Sequence, residues 1–76
     1  MKVFAKDIQH GDIFVLDGKE NIAIDSYILG NPFLWVTNRE FFINTDCSDR
    51  VYGYTNACLI EIPCDALVEY VGNMKE

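Results

Sequence analysis

The sequence predicts an all-β fold, a small barrel of five to six antiparallel strands with one short helical turn before the last strand. Three observations carry this expectation. Short runs rich in Ile, Val, Phe, Trp and Tyr recur at roughly 8 to 12 residue spacing, as in sandwiches and barrels. Each run ends at a Gly, Asn, Asp or Pro break. No stretch shows apolar residues at helical spacing over the length that a stable amphipathic helix needs. With 76 residues the chain is one domain, 1–76, and half of its residues are hydrophobic, enough for a core despite the length. Closure is favoured because it removes the sticky edges of a tiny open sheet.

In chain order, Lys2 to Ala5 reads as an edge strand and Lys6 to His10 as a turn, with Gly11-Asp12 as punctuation before the run Ile13 to Leu16. Asp17-Gly18 suits a tight hairpin turn, because Gly accepts a positive φ, and Lys19 to Asn21 is read as its extension. Ile22 to Leu29 alternates, with Ile22, Ile24, Ser26 and Ile28 on one face and Ala23, Asp25, Tyr27 and Leu29 on the other, which predicts a half-buried strand. Gly30-Asn31-Pro32 ends it. Phe33 to Thr37 follows, with Phe33 and Trp35 on one face and Leu34 and Val36 on the other; Asn38-Arg39-Glu40 is read as a turn and Phe41 to Thr45 as a further strand. The polar segment Asp46 to Arg50 is expected at an exposed tip. Val51 to Ile62 is extended with breaks near Gly53 and Asn56, and Leu59 to Ile62 is its best strand portion. Pro63 to Ala66 is expected to make the helical turn, since Pro63 has no amide to give a ladder, and Leu67 to Val71 closes the sheet before a polar tail from Gly72.

The opening Ala5-Lys6-Asp7-Ile8 with Gly11-Asp12-Ile13-Phe14, and the ending Pro63 to Val71, together resemble the first and last strands of small SH3-like barrels. Many bacteriophage and bacterial accessory proteins of this size share that look. The resemblance implies a turn of helix before the last strand. The Ala-Leu-Tyr-Asp-Tyr run and the paired Trp of the peptide-binding members are absent, so no functional residue carries over.

Charge narrows the functions. Twelve acidic residues against six basic ones give a net charge of −6, and the six cations are scattered, so no positive surface for a phosphate backbone is expected. An acidic domain meets a basic protein surface more readily. Three cysteines, an odd number, fit a reduced intracellular chain. The N-terminal residues lack the apolar run of a secretion signal, and no segment approaches the ~20 apolar residues of a membrane span. The chain is therefore expected to be cytoplasmic.

Cys47, Cys58 and Cys64 stand eleven and six residues apart, unlike the close pairs of structural zinc sites, and free Cys is commonly buried as a small hydrophobe. His10 is the one histidine and lies in a turn, where a solvated role is expected rather than a catalytic one. Asn44, Asp46 and Ser48 alternate like calcium ligands, but Asp49 stands where the loop needs Gly and Thr55 where it needs Glu. The five glycines are isolated, so no phosphate loop is formed. No catalytic residue, metal ligand or cofactor is assigned.

The aromatic residues remain. Tyr52 and Tyr54 share one face of an extended segment, and Trp35 and Tyr27 are placed near them on a neighbouring strand. Tyr and Trp give large contact area with a polar handle, as interface hot spots do. The expected function is a non-enzymatic, acidic protein-binding module with Trp35, Asp46, Asp49, Tyr52 and Tyr54 in its contact surface. A phage-type inhibitor of a host nucleic-acid-handling or defence enzyme would suit that description. The alternative is an oligomeric protein that binds or sequesters a small, nucleotide-like ligand. A homodimer would cover any apolar patch left by so small a core.

Overall fold

A computed structural model describes residues 1–44 and 57–75. Six strands make one antiparallel sheet: β1 (Lys2–Phe4), β2 (Asp12–Leu16), β3 (Lys19–Ala23), β4 (Phe33–Thr37), β5 (Cys58–Glu61) and β6 (Leu67–Asn73), in the order β1-β6-β2-β3-β4-β5. The all-β class holds, but the expected closure does not. Among the described residues β1 and β5 are opposite edges of an open sheet.

The β2–β3 hairpin follows from its turn. Asp17 and Gly18 both take positive φ, 53° and 77°, the pairing whose twist matches that of the flanking strands, and Leu16 then lies directly opposite Lys19. Lys19, Glu20 and Asn21 thus belong to β3 and do not lengthen the turn. Alternation sorts the side chains. Phe14, Ala23, Leu34, Val36 and Val68 face one side and form the core with Ala5, Ile8, Tyr27 and Ile62. Ile13, Ile22 and Trp35 fall on the other face by the same alternation.

Four local expectations are corrected. The strand predicted over 22–29 ends at Ala23; Ile24 adds one more ladder bond, its N–H to the Trp35 carbonyl at 2.9 Å, and the chain then bends. The bend brings Tyr27 into the core, where its hydroxyl donates to the Ile62 carbonyl at 2.7 Å. Ile28 and Leu29 are left exposed in a turn closed by the Asn31 N–H on the Ile28 carbonyl. The segment predicted as turn and strand over 38–45 starts instead with a short helix, α1 (Arg39–Asn44). Asn38 caps it, its side-chain oxygen accepting from the Phe41 N–H at 2.7 Å, with Glu40 favourably placed in the first turn.

Among the described residues the single 3-10 turn is at Ala5–Asp7, directly after β1, while the chain before β6 makes one hydrogen-bonded turn from the Ala66 N–H to the Pro63 carbonyl. Nor does a polar tail start at Gly72. β6 continues to Asn73, opposite Asp12, and the Asn73 amide donates to the Asp12 carboxylate at 2.7 Å and to the His10 carbonyl at 3.2 Å.

Candidate contact surface

Strand register builds an apolar strip on the outer face of β4 and β5. Trp35 lies opposite Leu59 and Phe33 opposite Glu61, so Phe33, Trp35, Leu59 and Glu61 share one side of the ladder. Their neighbours Leu34 and Val36 are buried in the core, which anchors the strip from beneath. Phe33 is 46% exposed and Leu59 49%, with Trp35 half-buried between them. An aromatic pair and a leucine open to solvent beside one carboxylate form a surface that gains from being covered.

Of the five residues that sequence reasoning assigned to a contact surface, Trp35 is on this strip. Asp46, Asp49, Tyr52 and Tyr54 lie outside the described residues, as does Cys47. Tyr27, expected beside Trp35, is in the core on the other side of the sheet. Phe33 shares a face with Trp35 by simple alternation, and that signal was available in the sequence. Leu59 was not, because its place depends on the register between two strands far apart in the chain.

The opposite face of the same strands opens a pocket of about 230 Å3 bordered by Lys19, Asn21, Val36, Asn38, Cys58 and Ile60. That is below the roughly 300–1,000 Å3 of ligand sites. Its rim is held by Arg39, whose guanidinium donates twice to the Glu20 carboxylate, at 2.7 and 3.2 Å. The hydrogen bond holds the Glu20 carboxyl below its ordinary range and raises Arg39 in turn. No family model, curated protein or solved structure matches this chain.

One residue differs from its expected environment. The His10 ring is not a solvated turn residue: it lies 5.5 Å from the Phe42 ring, and its Nε2 is buried without a hydrogen-bond partner among the described residues. Of the thiols expected to be buried or incidental, Cys58 is exposed and Cys64 is half-buried against the core. Among the described residues no cluster of His, Cys, Asp and Glu could hold a metal ion, and no helix is long and apolar enough to cross a membrane.

Burial pushes the Tyr27 phenol above its ordinary range, and the neighbouring Cys64 and Asp65 add to the shift. The sign of the consequence follows from linkage. The folded protein keeps the proton that the unfolded chain loses near pH 10, so this stabilisation is complete below that pH and fades as pH rises toward the folded value. Tyr27→Phe is therefore expected to flatten the alkaline fall in thermal stability. Melting curves from neutral pH to above pH 10 check it, and equal alkaline slopes for both proteins would contradict it.

Proposed function

We propose that this chain is a non-enzymatic protein-binding module that works inside the cell and meets a partner with a basic surface through the outer face of β4 and β5. The strip of exposed Phe33 and Leu59 with half-buried Trp35 carries this reading, and the net charge of −6 supplies the complementarity. Asp46, Asp49, Tyr52 and Tyr54 extend the surface in this reading. The resemblance of the chain's ends to small SH3-like barrels of phage type suits an inhibitor of a nucleic-acid-handling or defence enzyme, its carboxylates taking the place of phosphates in a basic cleft. The alternative is an oligomeric protein that binds or sequesters a small, nucleotide-like ligand at a site between its copies.

The test compares immobilised wild type with Trp35→Ala, Leu59→Asp and Leu29→Asp, the last an exposed leucine in the turn before β4 and outside the strip. The expected result is a basic protein retained by wild type and by Leu29→Asp and lost from the other two, with retention falling as salt rises. Trp35 is the chain's one tryptophan, so its emission should shift when the purified partner is added. Equal retention by all four proteins would overturn the surface.

A further inference from the structure

The two edges of the sheet are not equivalent. β1 is three residues long, begins at Lys2, runs straight into a 3-10 turn, and has the Lys6 ammonium 5.5 Å over its Phe4 ring. Short length and lysines are the means by which natural sheets discourage edge pairing. β5 is one residue longer, at four, and carries no lysine. It reads Cys58-Leu59-Ile60-Glu61, without lysine, arginine or proline, and among the described residues no strand lies on its outer side. Leu59 at its middle is half exposed.

We propose that β5 pairs antiparallel with β5 of a second copy of this chain, about a two-fold axis perpendicular to the sheet and passing beside Leu59. Register selects the occupant. Such an axis keeps both outer faces on one side, so directly opposed residues must share a face and the axis must fall on a residue. Centred on Glu61, the pairing would oppose two carboxylates. Centred on Ile60, it would set each Leu59 opposite a Glu61 carboxylate, an apolar side chain against a charge. Centred on Leu59, leucine meets leucine, Cys58 meets Ile60, and Glu61 meets Ala57. The two Glu61 residues are then four positions apart along the strand, about 13 Å at ~3.3 Å per residue, which is beyond the screening length at physiological salt. The only charge on the strand does not oppose self-pairing.

Pairing joins two six-stranded sheets and places the strip Phe33–Trp35–Leu59 of each copy edge to edge, so one continuous apolar face replaces two small ones. That enlarged face as a partner site rests on the function proposed above; the pairing itself does not.

Native mass spectrometry and light scattering over a dilution series test it. Wild type is expected at twice 8.7 kDa when concentrated, dissociating on dilution. Leu59→Lys alone and Leu59→Glu alone are each expected to remain monomeric, since like charges meet at the axis. Their equimolar mixture should restore a dimer containing one of each. Leu59 is half exposed, so neither change disturbs the core, and circular dichroism checks that both variants fold. A wild type that stays monomeric at every concentration, single variants that dimerise as wild type does, or a mixture that forms no mixed dimer would each overturn the pairing. A monomer that still captures the basic partner would overturn the pairing and leave the contact surface standing.

Discussion

Phe14→Ala is expected to lower the free energy of unfolding by about 3–5 kcal/mol. Phe14 is the largest fully buried side chain among the described residues, and it lies on a central strand, opposite Asn21 on one side and Tyr70 on the other. Removing the ring leaves a cavity walled by three strands that are already hydrogen-bonded to one another, so collapse is limited. A domain of this length has a total stability of about 4–11 kcal/mol at ~0.05–0.15 kcal/mol per residue. The loss is therefore about a quarter or more of the total, and at the low end of that range it unfolds the variant at room temperature. Urea titration checks this, with Leu59→Ala on the outer face as the comparison. A loss below about 1 kcal/mol for Phe14→Ala, the scale of an ordinary surface change, would place the ring outside the core.

Gly11→Ala is expected to cost about 2–3 kcal/mol. Gly11 sits in the turn closed by the Asp12 N–H on the Gln9 carbonyl, at φ 88°, a conformation that costs an L side chain about 1–2 kcal/mol. A methyl there would also stand 3.1 Å from the Asn73 side-chain oxygen. That side chain cannot give way cheaply. Its amide nitrogen holds the Asp12 carboxylate and the His10 carbonyl, and its oxygen accepts from the Lys75 N–H at 2.8 Å. Losing one such bond adds about 1 kcal/mol. Gly18→Ala separates the two causes, because Gly18 also has positive φ, 77°, but none of the described residues lies within 4 Å of its added methyl. Urea midpoints for the pair should rank Gly11→Ala as the more damaging; equal losses would show that the Asn73 contact contributes nothing.

What the sequence revealed follows from the range of the forces involved. The hairpin at Asp17-Gly18 is a two-residue decision, and β4 is a five-residue run of β-formers, so both were legible. Helix α1 was missed because six residues are too few to show helical spacing, and Phe41 and Phe42 read alone as strand formers. Its signal was Asn38, the cap. The alternation after Ile24 misled because the bend there answers to a hydrogen bond between Tyr27 and Ile62, thirty-five positions away. Trp35 and Phe33 could be placed on one face from spacing alone, whereas Leu59 joined them only through register, which no local pattern encodes.

The strand order has a consequence for the growing chain. β6 stands between β1 and β2 and joins them, and among the described residues β1 has its ladder only with β6. While residues 67–73 are still inside the ribosome, the first strand has nothing to pair with, and Val68 is missing from the core. The N-terminal segment is made first but placed last, so the sheet is completed only after nearly all of the described chain has been synthesised.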